Sequence, residues 1–521
     1  MAVSPNRSSF LVSGIDQGTS GTKFCVFDSV TGEIAASHST ETKIIEPKEG
    51  WTEMDPLYIM DTVWKSIAAT VQQLKDKNID VQQIKCLGIT NQMLTLIPWS
   101  SKTGKPFYNA IEWCDIRTHA DNEKELDKVP ERNIDHFRKT TGIPLSSLFC
   151  YTKVPWILKN VPGVMEAIKD GTCMLGTVNT WIVWNLTGGV DGGLYVTDVT
   201  NGQITGLFNL ETCTWDPEIC RYFGIPHNVF AEVRSTSEIY GYIKSGPLAG
   251  IPISGMLGDQ MAGTVGQLCF TAGQSKCTYG TAGSLNINTG TKAVYSTCGM
   301  MTSPLFQLGK SAPIMYNLWG VVEGCGQLMR WLRDNLQIVK SVEEIETLAA
   351  SVDSSHDCFF VPAFGGLLSP YWEDDARGTI VGMTGYTRRE HICRAALESA
   401  CFMVKGLLDG VEKDTGYPIS ELRVDGGMTV DSLMMQIQAN FVNETVVRPS
   451  VIVSASFGAA LMAGAADGIN VFPVSPDKLK LNVSFPLRET IFKPAMDAHE
   501  RERLFKRWEK AIEKARHWAS D

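Results

Sequence analysis

The first regular signal in the chain is an apolar run, Leu11-Val-Ser-Gly-Ile15, interrupted by Asp16-Gln-Gly-Thr-Ser-Gly-Thr22 and resumed at Lys23-Phe-Cys-Val-Phe-Asp28. Two short β-prone runs across a glycine-bearing turn predict an antiparallel pair. Thr31-Gly32 then turns the chain toward a third strand, Ile34 to Thr40. Between Asp55 and Asp76 the period changes. Met60, Val63, Trp64, Ile67, Ala68, Val71 and Leu74 recur every three or four positions, which marks one face of a helix. Ile84 to Thr90 reads as a buried strand.

The same grammar returns about 260 residues later. Ile253-Ser-Gly-Met-Leu-Gly-Asp-Gln260 is a strand ending in a loop, and Gly263 to Leu268 reads as helical. Ser275 to Ile287, with Gly280-Thr-Ala-Gly283 inside it, is a strand–turn–strand. A hairpin of phosphate-loop type thus occurs twice, which predicts a duplicated α/β architecture with a cleft between the halves. A boundary is expected near Cys269–Gln274, giving units 1–270 and 271–521. At the far end, Asp497 to Ser520 is rich in charge, with Leu504, Trp508, Ile512 and Trp518 near helical spacing, and reads as a surface helix.

Composition narrows the partners. The formal net charge of -10 argues against nucleic acid or an anionic membrane as the main partner. The 14 Cys are scattered with no CxxC pair, so zinc spacing is absent and reduced cytoplasmic thiols are expected. Met1 to Phe10 is polar, without a signal-like apolar region, and no transmembrane helix is expected.

Four loops can carry chemistry. In Asp16-Gln17-Gly18-Thr19-Ser20, the glycine permits close backbone approach, while successive N–H groups and hydroxyls can cradle phosphate oxygens. Asp16 is a candidate Mg²⁺ carboxylate and Lys23 a candidate phosphate partner. An ordinary hairpin turn is the bland alternative. Asp259, at the end of a strand, suits a general base toward an alcohol or, equally, a helix cap. Thr278-Tyr-Gly-Thr281 repeats the first loop in type. Asp425-Gly-Gly427 follows a strand, where glycines let a nucleotide lie against backbone.

In this order the blocks identify the chain as similar to the FGGY carbohydrate kinase family, most closely its glycerol kinases. The resemblance rests on Asp16-Gln-Gly-Thr19, Gly50-Trp-Thr-Glu-Met-Asp-Pro56, Gly88-Ile-Thr-Asn-Gln92, Tyr108-Asn-Ala-Ile-Glu-Trp113, Gly258-Asp-Gln260, Cys277-Thr-Tyr-Gly-Thr281 and the long run Val361 to Trp372. It implies an α/β fold of two ribonuclease-H-like domains, of the actin/hexokinase/Hsp70 type, around an interdomain cleft. It implies transfer of the γ-phosphoryl of ATP, with Mg²⁺, to a primary hydroxyl of a small polyol or sugar, and a cytoplasmic homo-oligomer, dimer or tetramer. Asp259 then matches the base and a metal-associated substrate ligand, Gln260 and Trp113 the polyol contacts, and Asp16 the metal carboxylate. Gln17, Gly18, Thr19, Ser20, Lys23, Thr281, Gly326, Arg330, Gly427 and Asp431 match nucleotide and phosphate positions.

Departures cluster on the substrate side. Met93 and Leu94 stand where the family's glycerol kinases carry Arg and Glu, Leu148 where they carry Tyr, and Ser284 where they carry Phe. On the nucleotide side Lys23 replaces Arg, Asp431 replaces Asn and Arg330 replaces Gln, and Trp319 replaces a Glu ahead of the Gly326 helix. Arg330 pairing with Asp431, or reaching phosphate, are both open. Three functions follow: a glycerol kinase with a rearranged pocket, a kinase for another polyol or sugar, or a catalytically weak member acting as a binding or scaffold protein.

Overall fold

The computed structural model describes residues 10–419, 421–450, 453–486 and 488–519. The polar start up to residue 9 and Ser520 lie outside them. Among the described residues no helix is long and apolar enough to cross a membrane.

Two mixed sheets dominate. The first orders its strands Ser237–Tyr242, Pro252–Gly258, Ile84–Asn91, Leu11–Gln17, Gly21–Asp28 and Ile34–Glu41. Its three sequential strands pair antiparallel, and Leu11–Gln17 then pairs in parallel with Ile84–Asn91, itself parallel to Pro252–Gly258. The second sheet repeats the scheme. Ser275–Tyr279 pairs antiparallel with Gly283–Gly290 and parallel with Glu421–Asp425, which runs parallel to Thr445–Pro449. The duplication expected from the two hairpins is therefore real at the level of strand order.

The predicted helix after the first hairpin runs Pro56–Asp76, started by Asp55, whose side chain accepts from Leu57 N at 2.9 Å. Its face Met60, Val63, Ile67, Val71 and Leu74 is buried in the first half.

One helix crosses the duplication. Ser454–Ala465 comes from the second half of the chain, yet it lies on the first sheet. Glycines make the seat. A Cβ on Gly14 would stand 2.1 Å from Ser456 O, one on Gly88 2.0 Å from Ala459 O, and one on Gly255 2.5 Å from Ala463 N. Backbone therefore touches backbone across three neighbouring strands, and the helix N-terminus is pinned at the cleft.

The C-terminal helix lies on the surface and packs by one face. It spans Ala498–Ala515, capped by Asp497, and it seals a core: Trp508 is 2% exposed and stacks on Phe402 at 5.3 Å. Ile512 is buried with it, whereas Trp518 lies beyond the helix and is 72% exposed. Trp508 and Ile512, read at helical spacing in the sequence, form the face that packs.

Candidate active site

Between the sheets lies a cleft of about 420 Å³. Its first wall is the turn after Leu11–Gln17: Asp16, Gly18, Thr19, Ser20, Gly21 and Lys23. Gly18 N donates to Gly21 O at 2.9 Å, closing the turn. Its second wall is the N-terminus of the helix Asp259–Gly266, with Asp259 and Gln260. Val453, Ser454 and Ala455 bring the start of the crossing helix to the same space. Helix N-termini present free N–H groups and partial positive charge, which suits phosphate. Asp425 and Gly426 complete the lining from the second sheet.

The carboxylates converge. Burial pushes the Asp16 carboxyl up to about 6, a rise opposed by Lys23 and reinforced by Asp425. Burial pushes Asp259 up to about 7, with Asp16 adding to the rise and Lys276 opposing it. Two hard oxygen donors destabilised as anions by burial and by a neighbouring carboxylate, Asp425 for Asp16 and Asp16 for Asp259, are suited to a divalent cation, which offsets that repulsion. The Oδ1 atom of Asp425 is buried without a hydrogen-bond partner, a further acceptor facing the same space.

The turn is tied to Trp113 behind it. Trp113 Nε1 donates to Thr19 Oγ1 at 3.0 Å, and Thr19 Oγ1 donates to Gln92 Oε1 at 3.2 Å. The segment carrying Trp113 is anchored by Arg117, fully buried, which pairs with Glu53 and Asp115 at 2.7 Å each and lies over the Trp51 ring at 3.9 Å.

Other expected residues sit elsewhere. Gln17 is buried behind the turn, its amide donating to Gly18 O at 2.9 Å and accepting from Gln92. Met93 and Leu94 are 6% and 3% exposed, so they are packed rather than lining open space. A Cβ on Gly258 would meet Met93 Sδ at 2.4 Å, placing that side chain directly under the residue that precedes Asp259. Leu148 packs on the first core, and Ser284 is buried, accepting from Asn286 at 3.0 Å.

On the nucleotide side, Gly326 N and Gln327 N donate to Gly280 O and Thr281 O at 2.9 Å, locking the Thr281 turn to the helix Gly326–Asp334. Gly427 has open space at its Cβ position. Asp431 caps the helix Ser432–Val442 through Met434 N at 2.8 Å, and burial, with Glu346 beside it, pushes it up to about 7. Arg330 is exposed and lines a separate hollow with Gln327, Trp331 and Asp334, so the Arg330–Asp431 pair is not formed.

Six cleft residues escaped the sequence reading: Ser39, Gly263, Lys276, Val453, Ser454 and Ala455. The signal was present. Lys276 and Thr278 are alternate polar positions in a strand whose intervening Cys277 and Tyr279 are core, and the period of two sends them to one face. Glu112 also went unremarked: it is fully buried, and neither carboxyl oxygen has a hydrogen-bond partner.

Known proteins match along almost the whole chain. Residues 11–266 match the N-terminal domain, and residues 275–466 the C-terminal domain, of the FGGY family of carbohydrate kinases. A protein named glycerol kinase from Clavibacter michiganensis is 44% identical over 97% of this chain and 98% of its own length. A probable glycerol kinase of Caenorhabditis elegans is 40% identical over 98% and 99%. Among solved structures, Plasmodium falciparum glycerol kinase with ADP superposes with a TM-score of 0.85 at 34% identity, covering 97% of this chain and 98% of that one.

Proposed function

Because the chain belongs to the FGGY family of carbohydrate kinases, we propose that it transfers the γ-phosphoryl group of ATP to a primary hydroxyl of glycerol, giving glycerol 3-phosphate. The observation that carries this reading is the convergence of Asp16 and Asp259 on one cleft with the Thr19 turn. Phosphoryl transfer needs positioning and charge neutralisation more than covalent help from protein. The turn and the two helix N-termini supply donors for the phosphates. Asp259 stands where a carboxylate can orient the acceptor hydroxyl and take its proton, and a base with a value near 7 is matched to neutral pH. Asp16 and Asp259 would hold Mg²⁺, which would supply neutralisation of phosphate charge. Trp113 offers a flat apolar face to the carbon skeleton.

A second reading is a kinase for another polyol or sugar. It is favoured by Met93, Leu94, Leu148 and Ser284, which bring no charged hydrogen-bonding group to the acceptor side.

The test is ATP consumption by purified protein over a panel of polyols and sugars with Asp259→Asn as control. Turnover on glycerol lost in Asp259→Asn is expected. Turnover confined to another alcohol selects the second reading. Intact nucleotide binding with no turnover on any substrate selects a binding or scaffold protein.

A further inference from the structure

We propose that Lys276 and Thr278 form a receiving wall for the terminal phosphoryl group of the nucleotide, with the Lys276 ammonium donating to its oxygens. The inference rests on the kinase reading above and adds to it a cation that the family motifs did not single out.

Lys276 is only 2% exposed, yet among the described residues its ammonium makes no hydrogen bond. Its ion-pair partner is Asp425 Oδ1 at 3.6 Å, too long for a hydrogen bond. Thr278 Oγ1 and Asp425 Oδ1 are themselves buried without partners, and all three residues line the cleft. The ammonium opens on the cleft with its donors free for a ligand there. The fold makes room for it. A Cβ on Gly263, in the helix that begins with Asp259, would stand 2.6 Å from Lys276 Nζ and 3.2 Å from Cε. The absence of a side chain at Gly263 lets the ammonium reach the cleft between two sheets' worth of structure.

Charge decides which ligand fits. The cleft holds the carboxylates of Asp16, Asp259 and Asp425, which serve a metal or an alcohol, against two ammonium groups, Lys23 and Lys276. Lys23 lies on the strand that leaves the first turn, whereas Lys276 lies on the second sheet beside the Asp425-Gly-Gly427 loop. An anion placed between the sheets is therefore approached by one cation from each side. A neutral polyol does not use an ammonium so placed. The terminal phosphoryl is the one part of the reactants that must lie between nucleotide and acceptor, and it has oxygens to occupy both Lys276 and Thr278.

The experiment compares the affinities of ADP and of the non-hydrolysable ATP analogue AMP-PNP, each with magnesium, by calorimetry on the full-length protein. Wild-type protein binds both; failure to bind either would remove the kinase reading itself. In Lys276→Met the AMP-PNP affinity is expected to fall on the order of 10- to 100-fold, the worth of one or two charge-assisted hydrogen bonds, with ADP affinity changed less than about threefold. Gly263→Ala tests the same point without removing the charge, since its methyl displaces the ammonium, and the same selective loss of AMP-PNP is expected. Should Lys276→Met not fold, the Gly263→Ala comparison stands alone. Equal loss for both nucleotides would overturn the proposal, because Lys276 would then only brace Asp425 and its loop. No loss for either would overturn it as well.

Discussion

Trp113 Nε1 donates to Thr19 Oγ1 at 3.0 Å, so the indole we propose for the acceptor is bonded to the turn that lines the cleft. The bond belongs to a closed ring. Thr19 and Thr95 hydroxyls both donate to Gln92 Oε1, at 3.2 and 3.1 Å, and Trp113 N donates to Thr95 Oγ1 at 3.2 Å. Trp113→Phe keeps the flat face and removes the indole donor. The KM values for acceptor and for ATP are both expected to rise, each by about 3- to 10-fold, the worth of one hydrogen bond. A rise in the acceptor KM alone would show that the ring does not couple the two sites.

Glu112 precedes that indole and carries a pH signature. Burial pushes its carboxyl up to about 8 from an ordinary 4.5, against the pull of Gln92 and Lys153 beside it. A raised carboxyl means the folded state holds a proton that the unfolded state releases. The contribution of Glu112 to stability is therefore greatest below pH 4.5 and is lost as pH rises toward 8. Glu112→Gln removes this term. Thermal melts should show variant and wild type close together at pH 5 and the variant more stable at pH 8. Parallel melting curves across that range would show that Glu112 stays protonation-neutral to folding.

Gly88 seats the crossing helix, with its Cβ position 2.0 Å from Ala459 O. Gly88→Ala forces two backbones apart and is expected to cost about 1–3 kcal/mol, the usual penalty of overpacking. A melting temperature equal to wild type would mean the helix can lift without loss.

Restoring charge at Met93→Arg with Leu94→Glu looks, from sequence, like a repair of the acceptor pocket. The packing predicts otherwise. Both side chains are buried, and Met93 fills the space beneath Gly258. The double variant is expected to melt below wild type without gaining turnover on glycerol, because two charges enter a filled core. Improved glycerol turnover at unchanged stability would show that the pocket opens there after all.

Much of the site was legible because its parts are local. The Asp16 turn, the strand ends at Asp259 and Asp425, and the duplicated hairpins follow from period and glycine placement within a few residues of one another. Lys276 escaped because its strand is only five residues long and carries no other charge. A lone lysine there reads as a surface residue until Gly263 is seen to leave it room. Arg330 and Asp431 were open as partners because both are departures of opposite charge on the nucleotide side. They are not, since one faces solvent on its helix and the other caps a different helix.

By itself, then, the chain determined the strands on either side of the Asp16 turn, the Asp55 start of the first long helix and the turns that bear carboxylate and hydroxyl, since dihedral preference and hydrophobic period act over single turns. Tertiary structure alone decided that Ser454–Ala465 returns to the first sheet, that Met93 fills a core, and that Lys276 is left with unused donors beside Asp425. Those outcomes depend on which surfaces meet across hundreds of residues. Close packing, not local propensity, settles where a side chain of given size and charge has space.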